Sequence, residues 1–194
     1  STGIGHKVAE TISETLGRRY MLECSGNNGC IVDETADLKL AAKAITFGAV
    51  GTTGQRCTST RRLIVHKDVV DDLIPLLKDA FSQIVVGDPR DASTVVGPLI
   101  DEAAVTSYKA TIADAEKLGG QVVYGGNVID RPGLYVEPTL ITNVEPDWSC
   151  VQNETFAPIV FIMTYTDLED AIRIHNDVPQ GLASCIHSTN LTNI

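Results

Sequence analysis

Apolar residues recur at the spacing of an α-helix in five stretches of the chain. In the first stretch they step by four residues, which places them on one helix face, and Gly17 is positioned to end that helix. Asp68 is predicted to cap the third helix, and Pro75 is predicted to kink it because proline lacks the amide proton that a helix interior needs. The predicted helices cover residues 4–16, 36–50, 69–84, 101–118 and 167–177.

Short apolar runs, several of them rich in β-branched residues, lie between these helices and predict β-strands. Strands separated by helices imply parallel crossover connections, so we expect an α/β fold whose sheet is covered on both faces. The predicted strands cover residues 20–22, 62–66, 121–124, 135–141, 158–164 and 182–187.

The composition is that of a globular chain able to bury a core, since 43% of its 194 residues are hydrophobic and 21% are charged. The net charge of −10 argues against nucleic acid or an anionic membrane as the main partner. No apolar run approaches the roughly 20 residues that cross a bilayer, and the chain does not open with the basic and apolar segments of a signal peptide.

The five cysteines are an odd number and are widely scattered, with no CxxC pair and no cysteine and histidine spacing typical of zinc. We therefore predict no metal site, at least one free thiol and a reducing, intracellular location. The chain also opens at Ser1 without a methionine, and it is expected to be a piece of a longer protein.

The most informative segment is the glycine-rich polar loop of residues 51–62, which contains Cys57 between a predicted helix and a predicted strand. Glycines allow the backbone to approach a ligand, and the N–H groups around Cys57 are suited to an oxyanion. Arg56, Arg61 and Arg62 would favour the thiolate, which is the form that attacks carbonyl carbons. The alternative is a loop cysteine without a role.

Glu23 is predicted to end a strand and to meet a turn, a position where α/β proteins place functional groups at the carboxyl edge of a sheet. A half-buried carboxylate there would have a raised pKa and could act as a general base. The alternative is a solvated glutamate at the end of a strand.

A third segment precedes the predicted strand at 158–164 and contains Glu154 and Phe156. Glu154 is suited to accept hydrogen bonds from sugar hydroxyls, and Phe156 is suited to pack on a flat ring. The alternative is a capping acid followed by a core aromatic residue.

Taken together, these segments resemble the aldehyde dehydrogenase superfamily. Glu23 precedes Cys57 by 34 residues and Glu154 follows it by 97, which is the order and spacing of that superfamily's general base, nucleophile and ribose-binding glutamate. Within the superfamily, three segments are similar to the antiquitin branch, which oxidises α-aminoadipic semialdehyde in lysine breakdown. They are Gly54-Gln55-Arg56-Cys57-Thr58, Glu154-Thr155-Phe156-Ala157-Pro158 and Asp130-Arg131-Pro132-Gly133.

The resemblance implies a Rossmann-like three-layer catalytic domain over residues 24–194, incomplete at its C-terminus, preceded by the end of an NAD-binding domain in residues 1–23. It implies Cys57 as the nucleophile and Glu23 as the base that activates water. It also implies an intracellular homo-oligomer, a tetramer when full length, in the cytoplasm or the mitochondrion, with a small aldehyde as substrate.

The resemblance further implies that NAD is the cofactor and assigns residues to it. Ser1 lies in a serine-threonine turn that meets the pyrophosphate at a helix N-terminus, Glu154 holds the nicotinamide ribose and Phe156 packs near the ring. Arg56 would bind the carboxylate of the substrate, because its planar fork matches a carboxylate.

The chain departs from the family at Cys24-Ser25-Gly26, where leucine and two glycines are usual. Because most of the cofactor domain would precede residue 1, these residues alone are expected to show little or no activity. Three other interpretations stay open: another semialdehyde or betaine-type dehydrogenase, a relative that acylates coenzyme A, and a non-catalytic module that kept the fold.

Overall fold

The computed structural model describes residues 1–194 and contains one six-stranded sheet with the strand order β3-β4-β5-β2-β1-β6. All neighbouring strands run parallel except β3 and β4, which pair antiparallel and are joined by residues 125–138, a connection without a helix. The strands are β1 (Asn28–Val32), β2 (Thr60–His66), β3 (Gln121–Tyr124), β4 (Thr139–Thr142), β5 (Ile159–Tyr165) and β6 (Ser184–His187).

Helices cover both faces of this sheet and give the predicted α/β fold three layers. Helices α2 and α3 pack on one face and α4, α5 and α6 on the other, each face forming its own apolar cluster. Alternate residues of β1 point to opposite clusters, Cys30 and Val32 to one and Ile31 to the other. The helices are α1 (Thr2–Ser13), α2 (Leu38–Val50), α3 (Val70–Ser82), α4 (Glu102–Lys117), α5 (Ser149–Gln152) and α6 (Leu168–Asn176).

Aspartate side chains begin three of these helices. Asp37, Asp101 and Asp167 accept hydrogen bonds from backbone N–H groups in the first turns of α2, α4 and α6. After α4, Gly119 adopts a φ of +106°, which glycine tolerates without strain. These local signals explain why the predicted bounds of α2, α4 and α6 lie close to the observed ones.

Two strand predictions were wrong. Residues 20–22 form no strand, because no strand of this chain lies beside them, and Tyr20 and Met21 are exposed. The interior strand β1 was missed, since its five residues are one asparagine, one glycine and an apolar run of only three residues. The predicted strand at 135–141 is shorter, because Pro138 has no amide proton for a ladder hydrogen bond.

The start of α3 also differs from the prediction. Its N-cap is Val69 without a side-chain hydrogen bond, while the backbone N–H of Asp68 donates to His66 Nδ1 at 3.3 Å. Pro75 lies inside α3 and does not break it. The short helix α5 was not predicted at all. None of the helices combines the length and apolar character required to traverse a bilayer.

Candidate active site

The three predicted segments meet at the amino edge of the parallel strands. The loop with Cys57 leads into β2, the loop with Glu154 leads into β5, and residues 24–27 lead into β1. Because parallel neighbours start at the same edge of a sheet, these three approaches lie side by side. The predicted carboxyl-edge position of Glu23 is therefore wrong, since residue 23 follows no strand and its segment lies at the opposite edge.

The backbone before Cys57 follows an uncommon path. Thr52 and Thr53 form part of a 3₁₀ turn, Gly51–Gly54, and have left-handed φ values of 52° and 58°. This conformation costs a β-branched residue about 1–2 kcal/mol. Gly54 also has a positive φ of 65°, and a Cβ there would lie 2.4 Å from the carbonyl oxygen of Ala157. The turn therefore brings the cysteine loop into close contact with the loop that carries Glu154.

The residues that lead into β1 hold Cys57 from the other side. Asn28 Nδ2 donates to the carbonyl oxygens of Cys57 and Ser59, both at 2.8 Å. A Cβ on Gly26 would lie 2.2 Å from the Cys57 carbonyl oxygen, so only glycine allows this approach. The N–H of Cys57 makes no hydrogen bond within the chain and remains a free donor beside the thiol.

Glu154 is held by both neighbouring loops. Its Oε1 accepts from Gly26 N–H at 3.2 Å and from Arg61 Nη2 at 3.3 Å. The hydrogen bonds found for this carboxylate all go to Oε1, so Oε2 is free to meet a further donor. Burial lowers the pKa of the Arg61 guanidinium, and the nearby Glu154 carboxylate opposes that shift. The Arg61 guanidinium also lies 5.2 Å from the centre of the Phe156 ring, which is 42% exposed.

Arg56 points to a separate pocket beside the cysteine loop. Its guanidinium carbon lies 5.4 Å from the centre of the Phe47 ring, and its buried Nε has no hydrogen-bond partner. The pocket has a volume of about 470 Å³ and is bordered by Lys43, Val50 and Val95 as well. A guanidinium without a partner in such a pocket is suited to an anionic group.

Glu23 and Ser1 are both exposed, so within this chain Glu23 does not have the half-buried environment that would raise its pKa. Neither side chain makes a hydrogen bond or an ion pair within the chain. The start of α1 is nevertheless fixed beside the site, because Thr2 Oγ1 lies 2.7 Å from Ser25 Oγ. Glu23 is three residues from Gly26, which contacts both Cys57 and Glu154.

Two residues that organise the site were not predicted for this role. Asn28 belongs to the strand that was missed, and Arg61 was considered only as a charge near the thiol. Both are buried, and Asn28 is 6% and Arg61 3% exposed. A polar residue inside an apolar strand, as at these two positions, is the signal that indicates a buried hydrogen-bond network.

The amino-acid sequence matches the family model described as the aldehyde dehydrogenase family over residues 1–194, and the chain belongs to this family of enzymes. Its relatives include α-aminoadipic semialdehyde dehydrogenase of Bos taurus, which is 44% identical over 194 residues, covering 100% of this chain and 36% of that protein. Aldehyde dehydrogenase family 7 member A1 of Pisum sativum is 41% identical over 186 residues, covering 96% of this chain and 36% of that protein. The chain thus spans little more than a third of the length of these relatives.

Solved structures agree with the fold. The crystal structure of indole-3-acetaldehyde dehydrogenase complexed with NAD+ has a TM-score of 0.96 at 32% identity, covering 100% of this chain and 40% of that one. Lactaldehyde dehydrogenase from Escherichia coli has a TM-score of 0.95 at 33% identity, with coverage of 100% and 40%. The family uses NAD or NADP, which confirms the predicted class of cofactor.

Proposed function

We propose that the protein containing this chain oxidises α-aminoadipic semialdehyde to its carboxylic acid with NAD+. The observation that carries the proposal is the meeting of three loops at one sheet edge, where the segment after Glu23 contacts both Cys57 and Glu154. The 44% identity to the α-aminoadipic semialdehyde dehydrogenase of Bos taurus supports this substrate over other aldehydes.

Cys57 is the nucleophile in this proposal. Its thiolate sulfur forms a bond to the aldehyde carbon, and the carbonyl π electrons move to the oxygen. The Cys57 N–H, which has no partner in the chain, is placed to stabilise that developing negative charge. The peptide group that carries this N–H is held at its carbonyl end, because Arg61 Nη2 donates to the carbonyl oxygen of Arg56 at 3.0 Å. Asn28 fixes the following carbonyl oxygen, that of Cys57 itself.

The described residues fit a nicotinamide dinucleotide. The free Oε2 of Glu154 matches a ribose hydroxyl, the half-exposed Phe156 ring offers an apolar face, and Gly3 in the first turn of α1 has open space around it. Glu154, Phe156 and Ser1 would hold the group, and NAD+, when bound, would supply the acceptor for the hydride that leaves the substrate carbon. As that C–H bond breaks, the carbonyl double bond would re-form and Cys57 would carry a thioester. Glu23 then takes a proton from water, the water oxygen attacks the thioester carbon, and the carbon–sulfur bond breaks to restore the thiolate.

Arg56 is the proposed substrate anchor. None of its side-chain nitrogens donates a hydrogen bond within the chain, and the Phe47 ring holds its guanidinium at the edge of the pocket. A bidentate pair with the remote carboxylate would place the aldehyde group at the adjacent residue, Cys57.

Replacing Arg56 in the full-length protein tests this assignment. We expect Arg56→Ala to lower kcat/KM for α-aminoadipic semialdehyde about 100-fold, because charge-assisted hydrogen bonds contribute about 1.5–3 kcal/mol. Against a neutral aldehyde of similar length the loss should stay within about threefold. The matched control is Arg131→Ala, which removes another arginine stacked on an aromatic ring, in this case an exposed one whose guanidinium lies 4.5 Å from the centre of the Tyr135 ring. Equal losses on both aldehydes would contradict the anchor and favour a betaine-type or other substrate without a carboxylate.

The division of the chain follows from the same proposal. Residues 1–23 would complete an NAD-binding domain, and residues 24–194 would form the larger part of a catalytic domain. We also propose an intracellular homo-oligomer, a tetramer when full length. Sedimentation of the full-length protein tests the assembly, and a monomer would contradict it.

A further inference from the structure

The pairing of β1 with β6 brings together three side chains that the proposed reaction does not use. Cys30 lies directly opposite Cys185 in the parallel register of these strands. His187 follows Cys185 by two residues and therefore points to the same face of the sheet. Although Cys30 and Cys185 are 155 residues apart in the sequence, the sheet makes them neighbours.

The three side chains converge on one point. One potential ligand atom from each residue lies within 4.8 Å of the other two, and Cys185 Sγ is 3.7 Å from His187 Nε2. A tetrahedral zinc ion with bonds of about 2.3 Å to sulfur and about 2.0 Å to nitrogen separates such a ligand pair by about 3.6 Å. The cysteine and histidine are thus already at the separation that a shared ion requires.

The cluster is enclosed on one side and open on the other. Cys30 is 2% exposed and packs in the apolar cluster under α2, while Cys185 is exposed on the edge strand and His187 is half-buried. A cation bound here would have protein ligands from within the sheet and solvent on its outer side. Two thiolates and one imidazole with an open fourth position form a donor set that suits Zn²⁺.

We propose that Cys30, Cys185 and His187 bind a zinc ion, with water as the fourth ligand. Each thiol releases its proton to solvent when its sulfur binds the ion, and the imidazole binds through Nε2 in its neutral form. No redox change is involved. The proposal does not depend on the aldehyde dehydrogenase reaction, since none of the three residues belongs to the loops around Cys57.

The ion would stabilise the edge of the sheet. Within these 194 residues, β6 pairs with β1 through one ladder of four residues. A metal bridge between the two strands stabilises only the folded chain, because the ligands are far apart in the unfolded one. Saturating zinc should therefore raise the melting temperature.

Cobalt binding to the full-length protein tests the site. The starting protein carries Cys57→Ser, which removes the thiol of the active site, and Co²⁺ serves as the coloured probe of a tetrahedral sulfur site. We expect a sulfur-to-cobalt charge-transfer band and intense visible bands that saturate at one equivalent per subunit and disappear when Zn²⁺ is added. Cys185→Ser and His187→Gln should each weaken Co²⁺ binding at least about tenfold. Both positions are on the edge strand, and circular dichroism checks that the variants are folded.

The matched control is Cys24→Ser, which removes an exposed thiol outside the cluster and should leave the bands unchanged. Bands that persist in Cys185→Ser and His187→Gln would overturn the proposal. It would also be overturned by a Cys30–Cys185 disulfide, detected by mass spectrometry in protein purified without reductant, because the two sulfurs could then not act as thiolate ligands.

Discussion

Arg61 shows how one side chain can connect the loops of a site. Its guanidinium donates four hydrogen bonds, to the carbonyl oxygens of Gly54, Arg56 and Thr155 and to the carboxylate of Glu154. The first two acceptors belong to the cysteine loop and the others to the glutamate loop. A planar fork of five donors is suited to such a task, whereas the single ammonium group of lysine is not.

Removing this connection should affect both stability and cofactor binding. We expect Arg61→Ala to lower the free energy of unfolding by about 3 kcal/mol, because it leaves a carboxylate and three carbonyl groups without their donor. The KM for NAD+ should rise about tenfold or more, since Glu154 loses its fixed position. Urea unfolding and initial-rate kinetics on the full-length protein measure the two effects.

The control for Arg61 is Arg173→Ala, which removes a surface arginine paired with Asp170 at 2.6 Å. Exposed ion pairs contribute about 0.5 kcal/mol, so this variant should behave nearly as the parent protein. An unchanged KM for NAD+ in Arg61→Ala would contradict the positioning role, even if stability fell.

The sequence indicated the candidate site residues Cys57 and Glu154 better than the residues that hold their loops in place. Cys57 and Glu154 were predicted because each lies in a polar segment with recognisable neighbours, and the spacing between them fits a known family. Asn28 and Arg61 act through partners from distant parts of the chain, up to 155 residues away for Asn28. Such pairings are set by strand order, which no local pattern reveals.

At the scale of elements, the carboxyl end of β1 is fixed by Asp33. The side chain of this buried residue accepts hydrogen bonds from the N–H and Oγ1 of Thr35 and from Nδ2 of Asn193 at 2.6 Å. Burial alone would raise the pKa of the Asp33 carboxyl, but these hydrogen bonds to Thr35 and Asn193 outweigh it and lower the pKa below its usual value.

This shift predicts how stability depends on pH. A carboxyl whose pKa is lowered in the folded state stabilises the protein above its unfolded pKa, about 3.9, and loses that contribution as the pH falls through the folded value. The stability difference between the parent and Asp33→Asn should therefore shrink as the pH falls from about 5 toward 3. Urea unfolding of both proteins across this range measures it.

Asp147→Asn is the control for the pH experiment, because Asp147 is exposed and accepts no hydrogen bond in the chain. Its stability difference from the parent should change little over the same range. A difference for Asp33→Asn that is constant with pH would contradict the assignment.

Elements with a cap and a full apolar face were predicted closely, and elements defined by their neighbours were not. Helices α2, α4 and α6 begin at aspartate caps that are visible in the sequence. The strand β1 forms because β2 and β6 lie on either side of it, whereas residues 20–22 form no strand because no strand of this chain lies beside them. Periodicity is local, whereas strand pairing depends on the whole fold.

At the scale of the whole molecule, the predicted α/β fold is confirmed. The candidate site, however, lies at the amino edge of the parallel strands, whereas Glu23 was expected at the carboxyl edge. Helices on both faces follow from the alternation of helical and strand periods. That alternation does not reveal which edge of the sheet carries the candidate site, because the loops before and after the strands are both polar. This chain places its cysteine and glutamate in loops that enter strands.

The chain by itself should not turn over an aldehyde. Glu23 and Ser1 are exposed, and residues 1–23 pack little against the core, with Gly5 the only buried residue of α1. We expect no production of NADH when the 194-residue chain is mixed with NAD+ and α-aminoadipic semialdehyde. The full-length protein under the same conditions is the positive control, and turnover by the isolated chain at a comparable rate would contradict the prediction.

The hydrogen bonds of Asn28 have a chemical consequence for the lifetime of the folded protein. Asparagine followed by glycine, as at residues 28 and 29, is the pair most prone to lose its amide group in a flexible chain. Deamidation would replace the Nδ2 donor with a carboxylate oxygen that faces the carbonyl oxygens of Cys57 and Ser59. Because all of these oxygens are acceptors, both hydrogen bonds would be lost. The burial and hydrogen bonds of Asn28 protect this amide, so the ageing of the molecule and the position of the Cys57 loop depend on the same side chain.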